Sequence, residues 1–185
     1  MVRHTAFLNS FVAAFLLAAP SALADADDPE LDALFAGLLN AEGGAVAQIE
    51  GRIYEIWSQS GSPAMDLLLS RGQEALAEGS TNVAIDHFTA LIDHAPDFAE
   101  GYNGRATAWF RAGRYGPSLD DIAKTLELNP RHFGALSGLA LILEELGHDA
   151  AALEAWREVE KIHPAREGLV DAIRRLSRSV EGQTL

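Results

Sequence analysis

The 185-residue sequence contains no cysteine and few basic residues, with 14 lysines and arginines against 27 aspartates and glutamates. The absence of cysteine excludes disulfides, thiol nucleophiles, a lipid-modified cysteine and zinc or iron–sulfur sites built on thiolates. The formal charge of −13 argues against a nucleic-acid-binding surface, because such a surface needs a basic patch that displaces counterions from phosphate. We therefore expect no nucleic-acid partner.

Sequence motifs of common enzymes are also missing. The chain has no G-x-S-x-G elbow, no Walker-type glycine loop, no H-E-x-x-H pair and no dinucleotide fingerprint. The adjacent carboxylates Asp120-Asp121 and Glu144-Glu145 would project about 100° apart on a helix and could not act on one substrate face. His87 and His94 could share a face, but no further metal ligand accompanies them at helical spacing. We expect no enzyme activity, no metal and no cofactor.

A long apolar run occurs only in the first 24 residues. Arg3 precedes an apolar run over residues 6–19, which is followed by Pro20 and the sequence Ala22-Leu23-Ala24. The run of about 14 residues is shorter than the roughly 20 that a membrane-spanning helix needs, and the pattern is typical of a secretory signal peptide. We expect a signal peptide over residues 1–24, cleavage near Ala24, a periplasmic or secreted product, and no stable membrane anchor afterwards. An uncleaved anchor is the alternative.

The rest of the chain contains an internal repeat of 34 residues. The same spacing separates Pro96, Pro130 and Pro164, and it also separates Gly79, Gly113 and Gly147. We divide the array into units at 65–98, 99–132 and 133–166. Small residues recur at the eighth place of each unit (Gly72, Ala106, Ala140) and at the twentieth (Ala84, Ser118, Ala152), and large apolar residues recur at the twenty-fourth (Phe88, Ile122, Trp156).

This pattern predicts two amphipathic helices in each unit. Small side chains allow two helices to approach closely, and the large residue fills the gap between neighbouring pairs. The glycine allows the left-handed turn that ends the first helix, and the proline cannot continue the second.

The small-Gly-small-aromatic-Pro pattern at period 34 resembles the tetratricopeptide repeat, in three consecutive copies. The middle copy, with Tyr102-Asn103-Gly104-Arg105-Ala106 and Ser118-Leu119-Asp120-Asp121, resembles a common variant of the family. The resemblance implies an all-α, right-handed superhelix of antiparallel helix pairs and a structural ion pair between Arg105 and Asp121. The first copy has Arg71 in the equivalent place but His87 where the acid would be. The sequence also resembles small exported repeat proteins of alphaproteobacteria, a resemblance that carries no particular activity with it.

Helical segments flank the array on both sides. Residues 25–64 contain two apolar stripes around a turn, which predicts a helical hairpin or a degenerate repeat that packs in front of the array. Residues 167–185 predict a capping helix and a tail, because a solenoid must cover its last apolar face. The apolar side of that helix is predicted to hold Leu169, Ile173, Leu176 and Val180, and its wet side Arg166, Arg174, Arg175 and Arg178.

The resemblance also implies a concave groove lined by the first helices of the units. The family uses the second, fifth, ninth, twelfth and thirteenth places, which are Asp66, Leu69, Gln73, Leu76 and Ala77 in the first unit. The second unit has Glu100, Asn103, Thr107, Phe110 and Arg111 there, and the third has Gly134, Ser137, Leu141, Glu144 and Glu145. Only Arg111 is basic, so the family's carboxylate clamp is absent. A ligand with an apolar segment near Leu69, Phe110 and Leu141 and a basic residue near the acids fits better.

We therefore expect a non-catalytic exported adaptor that binds a protein or peptide segment in this groove. The alternative is a structural accessory of an envelope assembly, which would dock through its convex or capping surfaces and leave the groove unused. Exposed helix positions without a ligand would have the same sequence pattern.

Overall fold

The computed structural model describes residues 28–183, and this part of the chain is entirely helical apart from turns. The helices are α1 (Pro29–Leu38), α2 (Gly44–Trp57), α3 (Pro63–Ala77), α4 (Thr81–His94), α5 (Ala99–Arg111), α6 (Tyr115–Leu128), α7 (Phe133–Glu145), α8 (Asp149–Ile162) and α9 (Leu169–Gln183). The all-α prediction is confirmed. The predicted signal peptide lies outside the described residues.

Three antiparallel helix pairs form the array: α3 with α4, α5 with α6, and α7 with α8. Helices α5 and α7 begin at Ala99 and Phe133, the first residues of the second and third 34-residue units, whereas α3 begins at Pro63, two residues before the first unit. Each pair packs against its neighbours, and α9 packs on α8.

The turn inside each pair is the same structure three times. Gly79, Gly113 and Gly147 have φ of 77°, 70° and 74°, a left-handed conformation that glycine adopts without steric cost. In the first turn the amide of Ser80 donates to the carbonyl of Ala75 at 2.8 Å, and Gly79 donates to Leu76 at 3.2 Å. This is a Schellman motif, which satisfies the last carbonyls of the first helix.

The small residues within the array face close neighbours. Ala84, Ala106, Ala140 and Ala152 are buried. A Cβ atom added at Gly72 would lie 2.4 Å from Cε1 of Phe88, and a Cβ added at Gly104 would lie at the same distance from the same atom. The ring of Phe88 therefore occupies the space that two glycines leave open on neighbouring helices, α3 and α5.

Both flanking elements are present, a hairpin (α1 and α2) and a capping helix (α9), and the hairpin packs on the array at the start of α7. Its buried stripe, which includes Phe35 and Trp57, packs on Phe133 at the start of α7. Arg131 pairs with Asp32 at 2.6 Å and so fixes α1 to the turn before α7. The cause is the aromatic side chain of Phe133, which offers the hairpin an apolar partner at the edge of the array.

The capping helix covers the last repeat as expected. Leu169, Ala172 and Leu176 are buried in the same apolar cluster as α8. Two arginines assigned to its wet side are engaged instead: Arg166 binds Glu50 of the hairpin at 2.8 Å, and Arg175 binds Glu144 at 2.6 Å. The two pairs connect the carboxy-terminal segment to the hairpin and to α7.

Candidate peptide-binding groove

The first helices of the three pairs, α3, α5 and α7, carry the side chains predicted for the groove. Three of them occupy the ninth place of their units and are exposed in every unit: Gln73, Thr107 and Leu141. Leu141 is 44% exposed, which is high for a large apolar residue in an array with a buried core. The thirteenth place is exposed as well, with Ala77, Arg111 and Glu145. The ninth and thirteenth places are therefore accessible to a ligand in all three units.

Four predicted groove residues, Leu69, Leu76, Glu100 and Ser137, are buried and do not lie on the accessible surface of the groove. Leu69 belongs to the apolar cluster around Phe88. The hydroxyl of Ser137 donates to the carbonyl of Phe133 within α7 at 2.7 Å. Glu100 is 5% exposed, because the hairpin covers the start of α5.

The half-buried groove residues have partners inside the protein. Asp66 accepts hydrogen bonds from the amide and the hydroxyl of Ser60, at 2.8 and 2.6 Å, in the joint before α3. The ring centroid of Phe110 lies 5.7 Å from that of Tyr115, and Phe110 packs against the core. Part of each side chain remains accessible to a ligand.

Glu144 is held by side chains of α8 and α9. The indole Nε1 of Trp156 donates to Oε1 at 2.6 Å, and Arg175 of the capping helix pairs with Oε2 at 2.6 Å. Both carboxylate oxygens therefore have partners within the protein, and Glu145, which is exposed, is the better acid for a basic ligand group.

Arg111 is the basic residue of the predicted groove, and it spans two repeats. Its Nη1 donates to the main-chain carbonyl of Leu76 near the end of α3 at 2.6 Å. That carbonyl lies at the negative end of the helix dipole, where a cation is stabilising. Arg111 thus has a structural contact besides its predicted contact with a ligand.

A buried hydrogen-bond network lies where the start of α5 meets the start of α7. Glu100 accepts from Asn103 Nδ2 at 3.1 Å and lies 2.7 Å from Nε2 of His132. Since the amide of Ala135 donates to Nδ1 of His132 at 3.0 Å, the ring proton lies on Nε2 and is donated to Glu100. Burial raises the pKa of Glu100, but the interaction with His132 and the hydrogen bonds outweigh this effect and hold that pKa below its usual value.

The hairpin rests on this network through Trp57. The indole ring is stacked on His132, with ring centroids 4.5 Å apart. Trp57 also contacts Phe133, with centroids 5.3 Å apart, and Tyr54 meets the same phenylalanine edge-on. Trp57 is therefore buried against the last residue of the second repeat and the first residue of the third.

A second buried histidine lies where the hairpin meets the last repeat. His163 has no accessible surface, and its ring nitrogens make no hydrogen bond within the described residues; Nε2 lies 3.7 Å from Glu50. Burial lowers the pKa of His163, an effect that Arg166 reinforces and Glu50 opposes. Burial also raises the pKa of the neighbouring Tyr54 hydroxyl to about 12.

The expected ion pair of the second repeat is present. Arg105 Nε and Nη2 donate to the two carboxylate oxygens of Asp121, each at 2.8 Å, and Nη1 donates to Thr89 at 3.2 Å. The bidentate geometry fixes α5 to α6, and the third contact reaches α4 of the first repeat.

Sequence reasoning missed the cover that the hairpin places over α5 and α7. One signal was available: Phe133 and His132 stand at a turn between repeats, where side chains are usually polar.

Residues 28–183 contain no group of three histidine, aspartate or glutamate side chains placed to hold a metal ion. In the same range, no helix combines the length and the apolarity needed to cross a membrane.

Comparisons with known proteins point to one family. A family model described as tetratricopeptide repeat matches residues 69–121. A TPR repeat-containing protein of Rhizobium etli is 36% identical over 153 residues, which cover 82% of this chain and 75% of that protein. The first TPR of Spaghetti (RPAP3) bound to the HSP90 peptide SRMEEVD has a TM-score of 0.61 at 21% identity and matches 63% of this chain and 93% of that one. The crystal structure of MamA protein has a TM-score of 0.58 at 17% identity over 80% of this chain and 79% of its own.

Proposed function

Since the chain belongs to the tetratricopeptide repeat family, we propose that it is a non-catalytic, exported adaptor that binds a protein or peptide segment through the groove formed by α3, α5 and α7. The observation that carries the proposal is the exposed ninth place of each repeat, with Leu141 44% exposed on α7. Repeat arrays of this kind use such extended surfaces to bind other proteins.

The groove favours an apolar ligand segment with a basic residue. Leu141 and the accessible part of Phe110 offer apolar contact, and Glu145 offers an exposed negative charge. The similar Spaghetti domain is bound to a peptide that carries three acidic residues. The groove described above has Arg111 as its basic residue, and that side chain already binds Leu76. We therefore propose a ligand of different chemistry for this chain.

Export is part of the proposal and is supported by the sequence of residues 1–24 alone. Cell fractionation of the native strain, followed by amino-terminal sequencing of the recovered protein, tests it. A product that begins near Asp25 in a periplasmic or culture fraction supports export, and an intact product that stays with the membranes overturns it.

Affinity capture with single variants tests the groove. The full chain with a carboxy-terminal tag is used beside Leu141→Glu, which places a charge in the groove, and Val83→Glu, which makes the same change at a 49% exposed residue of α4. Under the proposal, Leu141→Glu loses the captured protein and Val83→Glu retains it. Circular dichroism confirms that both variants stay folded.

The alternative function is a structural accessory that docks through its outer surfaces. It is favoured by large apolar side chains exposed away from the groove, Val83 on α4 and Val170 on α9, the second of which is 56% exposed. Under this alternative, Val83→Glu or Val170→Glu loses the captured protein, and Leu141→Glu retains it. The same experiment therefore separates the two functions.

A further inference from the structure

A cavity of about 290 Å³ lies between the hairpin and the array. Leu31 and Ile56 of the hairpin form one apolar wall, and Phe98 and Leu128 of the array form another. Trp57 completes the lining at the end of α2. The volume is at the lower limit of known ligand pockets and suits one long side chain more than a drug-sized molecule.

The charged groups that line this cavity all have one sign. They are Asp28, Asp97 and Glu100, and among the described residues the lining includes no lysine, arginine or histidine. Asp97 is exposed at the mouth, whereas Glu100 is buried. An ionised carboxylate that is removed from water is strongly stabilised by a nearby cation.

No lysine or arginine is among the donors described above for Glu100. They are the amide of Asn103 and the Nε2–H of His132. The other charged groups of the described lining, Asp28 and Asp97, are acidic as well, so a positively charged occupant would be attracted to all three carboxylates.

Trp57 supplies a second, independent observation. Its indole Nε1 is buried and has no hydrogen-bond acceptor within the described residues. A buried donor without an acceptor costs about 1–3 kcal/mol, and proteins usually satisfy such groups. Trp57 lines the cavity as well, beside Glu100.

The arrangement of the carboxylates distinguishes an organic cation from a metal ion. No three acidic or histidine side chains in residues 28–183 converge closely enough to bind a metal. The charges are instead distributed around an apolar cavity, which suits a cationic head on an apolar stem, as in lysine and arginine.

We propose that this cavity binds a lysine or arginine side chain of a protein segment that reaches the start of α5. The proposal rests on the proposed function, because Glu100 belongs to the second repeat's groove positions and lies at the hairpin end of that groove. It assigns the basic residue of the ligand to a defined cavity, separate from the exposed surface around Leu141.

Nuclear magnetic resonance with small probes tests this proposal without a partner protein. The isotope-labelled full chain is titrated with N-acetyl-lysine methylamide and N-acetyl-arginine methylamide, and N-acetyl-norleucine methylamide serves as the neutral control. The cationic probes should produce saturable shifts of the Trp57 indole signal and of the Ala99 and Asn129 amides, and the neutral probe should bind at least about fivefold more weakly. Equal binding of all three probes, or no shift at these groups, overturns the proposal.

Charge-removing variants give the second arm of the test. Asp97→Asn removes a charge at the mouth, and Asp28→Asn removes one while asparagine keeps the cap of α1, where Asp28 accepts from Glu30 and Leu31. The two changes together should weaken the cationic probes about fivefold, and the matched control Asp86→Asn, exposed on α4, should leave them unchanged. If the double variant binds as tightly as the wild type, the proposal is wrong. The titration does not depend on capture through Leu141, so its failure and that of the groove are distinguishable.

Discussion

Arg111 of the second repeat hydrogen-bonds to the main chain of Leu76 in the first, with 2.6 Å between its Nη1 and the carbonyl oxygen. The contact joins two repeats that also interact through apolar packing and through the hydrogen bond from Arg105 to Thr89. It places a guanidinium at the end of α3, where the helix dipole is negative. A residue of the predicted binding surface thus also stabilises the array, and its replacement affects both properties.

Replacing Arg111 should lower stability even without a ligand. Arg111→Met keeps much of the apolar stem and removes the hydrogen bond, and because the side chain is exposed we expect a loss of only about 1 kcal/mol in the free energy of unfolding. Urea denaturation followed by circular dichroism measures it. Arg157→Met, an exposed arginine on α8, is the control and should change stability by less than about 0.5 kcal/mol. Equal midpoints for both variants would show that the bond to Leu76 contributes nothing.

The close contact between Phe88 and Gly104 predicts a large effect from a single methyl group. Gly104→Ala would place its Cβ 2.4 Å from the ring and should cost about 1–3 kcal/mol. Combining it with Phe88→Leu should cost less than the sum of the two single changes, because the smaller side chain makes room. Double-mutant analysis of urea midpoints measures this coupling.

Gly51→Ala is the matched control for that experiment. Gly51 lies in the middle of α2, and a Cβ there would meet nothing within 4 Å. The change should stabilise the protein by about 0.5–1 kcal/mol through helix propensity. A destabilisation by Gly51→Ala comparable to that of Gly104→Ala would show that the contact with Phe88 is not the cause.

The array could be predicted from the sequence because its signals are local and repeat. Gly79, Gly113 and Gly147 each follow a first helix in a left-handed turn. The hydrogen bonds that close each turn lie within six residues of chain. The Arg105 and Asp121 pair could be predicted because a resemblance supplied the spacing. Such features depend on neighbours in sequence or on the period of 34.

The burial of Glu100 could not be predicted, because it depends on contacts between residues that are distant in sequence. Glu100 is buried because Trp57 packs on His132, and the tryptophan is 75 residues distant from that histidine in sequence. Periodicity shows which face of α2 is apolar but does not identify the surface that this face contacts. The prediction that Glu100 lies on the open surface of the groove failed at this step, since position within a repeat does not report contacts with elements outside it.

Buried His163 should make the protein less stable in mild acid. Its pKa is lowered in the folded state, so below its usual value of about 6.5 the unfolded chain takes up a proton that the folded chain does not. Stability should therefore fall as the pH drops from about 7 towards 5, and below about 4.5 the lowered pKa of Glu100 adds a further loss. Urea midpoints measured across this pH range test the expectation.

Two histidine variants identify the group responsible. His163→Phe removes the titrating ring and its unpartnered nitrogens, so it should flatten the loss of stability between pH 7 and 5. His94→Gln removes an exposed histidine and should leave the pH profile unchanged. If His163→Phe retains the wild-type profile, the acid sensitivity has another source.

Removing one member of the ion pair between Arg105 and Asp121 should destabilise the protein more than replacing both members. Asp121→Ala leaves Arg105, which is mostly buried, without its carboxylate, and we expect a loss of about 2 kcal/mol or more. The third repeat has apolar residues at the same two places: Leu139, which is partly buried, and Ala155, which is buried. The double variant Arg105→Leu, Asp121→Ala introduces the same two residue types. It should be more stable than Asp121→Ala alone, because no charge is left unpaired. Thermal and urea unfolding of the variants compare them. A double variant that is less stable than Asp121→Ala would show that the contact of Arg105 with Thr89, which the apolar replacement also removes, contributes more than the unpaired charge costs.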